Sequence, residues 1–268
     1  MPHSELISLN ELIDKSNSKK LIIPLLQRNY KWSTENASQL LADIRKAKCK
    51  KQNEYTIGMA TFYNCGTDDI QVIDGQQRII TLCLLAKALG KITEFLKISF
   101  ERDEDQQKGL RYNYLYGNNS IDPAYSVDSA YSVDVERMKK VFNTFNAMLP
   151  KENEEKNDLY VWICKHVKII YRETDNTPLN EFLNLNENKI SFSPSDYDRA
   201  YQLKYQSEKQ EDMITPAMIL KEYSLIEKYL YTNEDVYNLI KSTYTKNPSN
   251  RMDLLFENSS FGSNIQKY

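Results

Sequence analysis

The sequence predicts an α+β fold in which a compact unit over residues 1–90 precedes a mainly helical region over residues 91–268. In the first part, two β-like runs lead directly into a segment that is apolar on nearly every side, and a helix of that kind has to be buried. Beyond Gly90 the chain changes to helical stretches rich in Tyr, Asn and Lys. Its 268 residues, with 41% hydrophobic and 27% charged side chains, have the composition of an ordinary globular protein.

The first elements are short and have clear boundaries. Residues 8–13 predict a helix capped by Ser8, because their apolar side chains recur at helical spacing. Residues 21–23 predict a buried strand that ends at a proline. Ser33 or Thr34 can cap a second helix, whose apolar positions also recur at helical spacing.

A hairpin and a buried helix follow. Residues 55–63 and 69–73 are rich in β-branched and aromatic side chains and are separated by a turn at residues 64–66, so a β-hairpin is the simplest interpretation. Residues 79–89 are apolar at nearly every position and predict a central helix. Farther along, the pattern predicts helices at residues 135–148, 158–164 and 216–231, a strand at residues 167–171, and a loop at residues 117–133 that includes part of a tandem hexad.

The charge balance excludes a general attraction to nucleic acid. Thirty-five basic and thirty-seven acidic residues give a formal charge of −2, so DNA binding needs a local basic patch. The cluster from Arg45 to Lys51 is a candidate, although it equally fits a solvated helix end that offsets the dipole. No apolar run reaches the roughly 18 residues of a transmembrane helix, and no signal-peptide pattern is present. We therefore expect a cytoplasmic protein with no membrane partner.

Cysteines and histidines form no recognisable metal-binding pattern. The four cysteines lack CxxC spacing, which favours reduced thiols over disulfides or a zinc site. His3 and His166 are too few and too far apart in sequence to build an HNH nuclease centre. A nuclease of that type is not expected within this chain.

The strongest chemical signal is the sequence Asp-Gly-Gln-Gln-Arg at residues 74–78, at the predicted junction between a strand and the central helix. The first turn of a helix has unpaired backbone N–H groups and a positive dipole end, which together attract phosphate. Gly75 allows a ligand to approach the backbone, Arg78 can contact two phosphate oxygens, and Asp74 can bind Mg²⁺ or orient a water. The alternative is that Asp74 only caps the helix and Arg78 pairs with a surface carboxylate.

A second polar cluster, Ile-Pro-Leu-Leu-Gln-Arg-Asn-Tyr-Lys-Trp at residues 23–32, alternates cationic and aromatic side chains in a predicted loop. Such a composition can bind phosphate through Arg28 and form a base pocket with Tyr30 and Trp32. The alternative is that the two aromatic side chains pack as a hydrophobic lid while Arg28 stays solvated.

The two clusters together resemble the GmrSD-type family of modification-dependent restriction systems, whose N-terminal domain has a ParB/sulfiredoxin-like fold. The family patterns I-P-x-x-Q-R-x-Y-x-W and D-G-Q-Q-R-x-x-T-L are complete at residues 23–32 and 74–82. A third pattern, F-E-T-x-N-x-R-G-x-x-L-S-P-x-D, is matched in part at Phe182, Asn186, Ser193, Pro194 and Asp196. The chain departs from that pattern at Asn188-Lys189, where the family usually has Arg-Gly, and at Phe192, where it has leucine.

This resemblance implies binding and hydrolysis of GTP or another nucleoside triphosphate with Mg²⁺. Asp74 would position water and bind the metal ion, Gln76 and Gln77 would orient the phosphates, and Arg78 would stabilise the developing charge. Lys189 could replace the family arginine as a point charge without its fork geometry. The nucleotide-binding set would be Gln27, Arg28, Tyr30, Trp32, Gly75, Asn186 and Lys189.

The resemblance also implies partners: DNA, possibly modified, and an HNH-type nuclease in a separate subunit or a downstream domain. The chain would then be the regulatory subunit or domain of a phage-defence system. One alternative is a ParB-like switch that binds nucleotide or DNA without turnover. Others are direct DNA cleavage, with Asp74 as the main metal ligand and Asp68 and Asp69 nearby in sequence, and a scaffold with a degenerate site.

Overall fold

In a computed structural model, the described residues are 3–64, 66, 68–101, 109–117, 133–186, 202, 216–242 and 251–256. The strands in this part of the chain are β1 (His3–Ser8), β2 (Lys20–Ile23), β3 (Tyr55–Asn64), β4 (Asp69–Asp74), β5 (Ile98–Phe100) and β6 (Val167–Thr174). The helices are α1 (Leu9–Ser18), α2 (Thr34–Cys49), α3 (Gln76–Ala88), α4 (Leu110–Tyr116), α5 (Val133–Met148), α6 (Asn153–His166), α7 (Pro178–Asn186), α8 (Pro216–Thr232), α9 (Glu234–Ser242) and α10 (Asp253–Phe256). This composition confirms the predicted α+β class.

The six strands form one mixed sheet in the order β1-β6-β3-β4-β2-β5. The predicted hairpin is confirmed, because β3 and β4 pair antiparallel, with Thr61 opposite Asp74. β2 lies parallel to both β4 and β5, and β6 lies parallel to β3 and antiparallel to β1. The sheet thus places the end of β4 beside the middle of β3.

Local capping explains where the first helices begin. Ser8 and Glu11 form a capping box at α1, since the N–H of Ser8 donates to Glu11 Oε2 at 2.6 Å and the N–H of Glu11 donates to Ser8 Oγ at 3.3 Å. Ser33 caps α2 in the same way through Asn36. Both helices were predicted at these positions, and the capping residues fix their first turns.

The chain divides into two compact units, residues 1–181 and residues 182–268, rather than at residue 90 as the sequence suggested. The difference arises because β5 and β6 join the same sheet as the four earlier strands, and α5 packs on both α2 and α3. The first unit therefore needs residues far beyond Gly90 to complete its core. In the second unit, α8 packs on α9.

Among the described helices of the first unit, the central helix α3 is the most deeply buried. Every residue of α3 except Arg78 and Lys87 is buried, including the polar side chains of Gln76, Gln77 and Thr81. Burial of unpaired polar groups costs free energy, so each of these side chains requires a hydrogen-bond partner inside the protein. None of the described helices is both long enough and apolar enough to cross a membrane.

Candidate functional site

The turn between β4 and α3 carries the Asp-Gly-Gln-Gln-Arg motif. Gly75 occupies the N-cap position of α3 with a φ of +90°, so Asp74 is the last residue of β4 and does not take the capping position. A Cβ atom at residue 75 would lie 2.7 Å from the Cβ of Ala60 and 3.1 Å from its Cα. The glycine is thus required by its backbone conformation and by contact with β3, whether or not a ligand approaches it.

Gln77 joins this turn to the loop of residues 24–32. Its Oε1 accepts hydrogen bonds from the backbone N–H groups of Lys31 at 2.7 Å and Trp32 at 3.2 Å. Its Nε2 donates to the backbone carbonyl oxygen of Asn29 at 3.2 Å. One buried amide therefore satisfies three backbone groups of the loop.

Gln76 and Gln27 add two further links between the same segments. Gln76 Nε2 donates to the carbonyl oxygen of Arg28 at 2.9 Å, and Gln27 Nε2 donates to the carbonyl oxygen of Ile73 at 2.5 Å. Both glutamine side chains are buried. The structure thus brings the two predicted motifs together, and the glutamines expected to orient phosphates also hold the loop in place.

Tyr30 lies in the core, with 1% of its surface exposed, rather than in an open base pocket. Its hydroxyl is 2.7 Å from Thr81 Oγ1, and burial raises the pKa of Tyr30 well above its usual value, so the hydroxyl stays neutral. Its backbone N–H donates to Asp134 Oδ1 at 2.8 Å, and its carbonyl oxygen accepts from Arg137 Nη1 at 3.1 Å. The ring has no free face on which a base could stack.

Arg78 reaches from the first turn of α3 to β3. Its Nη1 donates to the carbonyl oxygen of Met59 at 2.5 Å, and a Cβ at Gly58 would lie 2.7 Å from that nitrogen. The pairing of β3 with β6 shifts register between residues 56 and 59, at the same place. Arg78 forms no ion pair with any described residue, and its Nε and Nη2 groups form no hydrogen bond within the described part of the chain.

Arg28 differs from its neighbours in the loop. Its side chain is partly exposed and makes no hydrogen bond or ion pair with any residue that the structure describes. Trp32, four residues later, is partly buried and packs against the core. Among the residues that the structure describes, none bonds the guanidinium of Arg28, while Gln76 fixes its backbone carbonyl oxygen.

The charges of the two motifs favour an anionic ligand. Arg28, Lys31 and Arg78 are cationic and Asp74 is the single carboxylate, which leaves an excess of two positive charges. In the described ranges, no group of three or more His, Cys, Asp or Glu side chains could hold a metal ion. Mg²⁺ at Asp74 would therefore need phosphate oxygens or water as its other ligands, which is a common arrangement for that ion.

Two predicted nucleotide contacts cannot be placed. Asn186 is the last residue of α7, but its side chain lies outside what the structure describes, and Lys189 lies outside the described residues. The remaining residues of the third motif, from Asn188 to Asp196, are also outside this part of the chain.

Four further residues hold the loop, and sequence reasoning assigned none of them to it, although Thr81 is a fixed position of the second pattern. They are Thr81, Arg111, Asp134 and Arg137, and Asp134 Oδ2 also accepts a hydrogen bond of 2.6 Å from Arg111 Nε. A single hydroxyl in an otherwise apolar helix was an available signal for Thr81, since a buried hydroxyl needs a partner. The other three residues lie in the predicted helical region, and no local pattern connects them to the loop.

Comparison with known proteins assigns the chain to a family. No curated protein matches the chain. Residues 9–203 match the model of the GmrSD restriction endonuclease N-terminal domain, a stretch that includes most of the sheet and both interlocked motifs. Since this match covers well over half of the sequence, the chain belongs to the family of GmrSD restriction endonuclease N-terminal domains.

Proposed function

We propose that the chain binds a nucleoside triphosphate, GTP or another, where its two motifs meet, and hydrolyses it as the regulatory part of a modification-dependent DNA restriction system. The observation that carries this proposal is that Arg28, whose side chain has no partner among the described residues, is attached to the first turn of a buried helix. Gln76 links the backbone of Arg28 directly to the N-terminal turn of α3. The family supports the restriction role.

Three groups in this region support the proposed phosphate binding. The first turn of α3 carries backbone N–H groups that the helix itself cannot satisfy, together with the positive end of the helix dipole. Arg28 supplies a guanidinium that is not used elsewhere among the described residues, and Arg78 keeps Nε and Nη2 for a ligand while Nη1 is bonded to Met59. Charge-assisted bonds from two guanidinium groups suit a triphosphate.

Hydrolysis would be an attack of water on the terminal phosphorus atom. A new P–O bond forms to the water oxygen, and the bond from phosphorus to the bridging oxygen breaks, giving a nucleoside diphosphate and inorganic phosphate. Asp74 lies at the end of β4 beside the helix terminus and would orient the water or accept its proton. When bound, Mg²⁺ would neutralise charge on the phosphate oxygens, with Asp74 as its protein ligand.

The glutamines act in this proposal mainly by holding the site together. Gln77 uses both its oxygen and its nitrogen on backbone groups of the loop, and Gln76 uses its nitrogen in the same way. Their catalytic contribution is then to fix Arg28 near the phosphates. The sides of the proposed nucleotide site would be formed by Gln27, Gly75 and Trp32. Asn186 and Lys189 remain proposed contacts with the nucleotide.

Turnover would be coupled to DNA, possibly modified, and to an HNH-type nuclease on another subunit or a further domain. We place the protein in the cytoplasm, where such a system meets incoming DNA. A change in the loop of residues 24–32 on hydrolysis is one route for this coupling, because the loop is attached to α3 and to α5 through separate bonds.

The proposal is tested by phosphate release from each of the four ribonucleoside triphosphates with Mg²⁺, with the intact chain and an Asp74→Asn variant. We expect release from at least one nucleotide and a loss of about 100-fold or more in the variant. Nucleotide binding and thermal unfolding of the variant should stay close to those of the intact chain. Equal release by both proteins would contradict the role of Asp74, and binding without any release would indicate a switch instead.

A further inference from the structure

Tyr30 is held on three sides, although it lies in a loop. Its hydroxyl is hydrogen-bonded to Thr81 on α3, and its backbone N–H donates to Asp134 on α5. Its carbonyl oxygen accepts a bond from Arg137, one turn farther along α5. A carboxylate thus accepts a hydrogen bond from the N–H of Tyr30, and a guanidinium donates one to its carbonyl oxygen. These bonds fix the peptide planes on both sides of Tyr30.

The neighbouring backbone groups of the loop are fixed by side chains as well. The carbonyl oxygens of Arg28 and Asn29 accept bonds from Gln76 and Gln77, and the N–H groups of Lys31 and Trp32 donate to Gln77. Side chains from two helices, α3 and α5, therefore determine the path of the loop between Arg28 and Trp32.

Asp134 is itself held in position. It is 4% exposed, and its second oxygen accepts a hydrogen bond from Arg111 Nε at 2.6 Å, from a side chain that is 13% exposed. A buried carboxylate is costly unless it is paired and hydrogen-bonded, and Asp134 satisfies both conditions. Its two oxygens therefore connect α4 to the loop through α5.

We infer that Asp134 and Arg137 are positioning residues for the nucleotide site. They bond the backbone of Tyr30, while Gln77 bonds the residues on either side of it, and so they keep Arg28 and Trp32 at fixed places in the loop. The inference concerns residues outside both sequence motifs, and its functional part rests on the proposed nucleotide binding. Its structural part, the fixing of the loop, does not depend on nucleotide binding.

The test uses the full chain with Arg137→Ala, Arg137→Lys and, as the control, Lys140→Ala, an exposed side chain on the same helix. Hydrogen exchange of the Lys31 and Trp32 amides reports the loop without any nucleotide. We expect exchange at least tenfold faster in Arg137→Ala, with the lysine variant recovering most of the protection and Lys140→Ala unchanged. Exchange in the α3 amides from Leu82 to Leu85 should not change, which separates loop release from general unfolding.

The second arm measures nucleotide affinity and phosphate release at a temperature at which every variant is folded. We expect Arg137→Ala to weaken nucleotide binding and raise KM about tenfold, with a smaller loss of kcat, and Arg137→Lys to recover within threefold. Unchanged exchange and unchanged affinity in Arg137→Ala would overturn the inference. An intact chain that binds no nucleotide would refute the proposed function, and the exchange arm would still decide whether Arg137 fixes the loop.

Discussion

The side-chain oxygen Oε1 of Gln77 accepts a hydrogen bond of 2.7 Å from the backbone N–H of Lys31, 46 residues earlier in the chain. This bond crosses from the first turn of α3 to a loop that has no secondary structure of its own. Because the same amide also bonds Asn29 and Trp32, the loop cannot move away from α3 without breaking three hydrogen bonds together. The two motifs are therefore one structural unit.

Replacing Gln77 with leucine should detach the loop. The variant removes the hydrogen bonds that Gln77 makes to two N–H groups and one carbonyl oxygen of the loop, and a buried polar group that loses its bond costs about 1–3 kcal/mol. We expect a loss of about 3 kcal/mol in the free energy of unfolding, measured with urea. Gln39→Leu is the control, since Gln39 is exposed on α2 and bonds only Asp43 among the described residues. A Gln77→Leu variant as stable as this control would refute the role of Gln77 in holding the loop.

Gly75 and Gly90 provide a matched pair at the two ends of α3. Both have positive φ angles, +90° and +75°, but only at Gly75 would a Cβ atom collide, 2.7 Å from the Cβ of Ala60. Gly90→Ala should cost about 1 kcal/mol from backbone strain alone. Gly75→Ala should lower the free energy of unfolding by at least about 2 kcal/mol more than Gly90→Ala does, because β3 must move or the turn must distort. If thermal unfolding shows the same loss of stability in both variants, the contact with Ala60 is easily relieved and this prediction is wrong.

Glu181 should make stability depend on acid pH. The carboxylate is 2% exposed, and although burial opposes its ionisation, hydrogen bonds from Arg172, Asn176 and Thr174 lower its pKa below the usual value. Since the folded pKa lies below the unfolded one, the stabilisation is complete above about pH 4.3 and is lost as pH falls through the folded pKa. Urea unfolding should show this loss in the intact chain.

A Glu181→Gln variant is the control for that pH series. It should be about 2 kcal/mol less stable than the intact chain at pH 7, since Arg172 loses its charged partner. The difference between the two proteins should shrink toward pH 3, because the intact carboxyl then becomes neutral too. A constant difference across the series would contradict the lowered pKa of Glu181.

Local patterns were sufficient to predict much of the first unit. The capped helices α1 and α2, the hairpin of β3 and β4 and the buried helix α3 all depend on neighbours in sequence, such as Ser8 with Glu11. β1 was missed, because His3–Ser8 alternates weakly and becomes a strand only by pairing with β6, more than 150 residues away. The domain boundary predicted at residue 90 reflects a local change in composition, whereas β5 and β6 join the sheet by pairing with strands far away in sequence.

The two motifs were recognised in the sequence, but the contacts that join them were not. Asp74, Arg78 and Arg28 lie at the junction that the motifs indicated, and the structure brings both motifs together. The burial of Tyr30 agrees with the alternative that the aromatic side chains of this loop pack as a lid, but its hydrogen bonds to Thr81 and α5 were not predicted. The roles of Asp134 and Arg137 depend on tertiary contacts about a hundred residues apart in sequence.

An Arg28→Ala variant tests most directly whether the two motifs form one nucleotide site. The side chain of Arg28 has no partner among the described residues, so its removal should not disturb the fold. The variant's free energy of unfolding should match that of the intact chain within about 0.5 kcal/mol. Nucleotide affinity should fall about tenfold or more, and phosphate release with it, since a charge-assisted contact with phosphate is lost. Unchanged affinity and release in a fully folded Arg28→Ala variant would contradict a shared site.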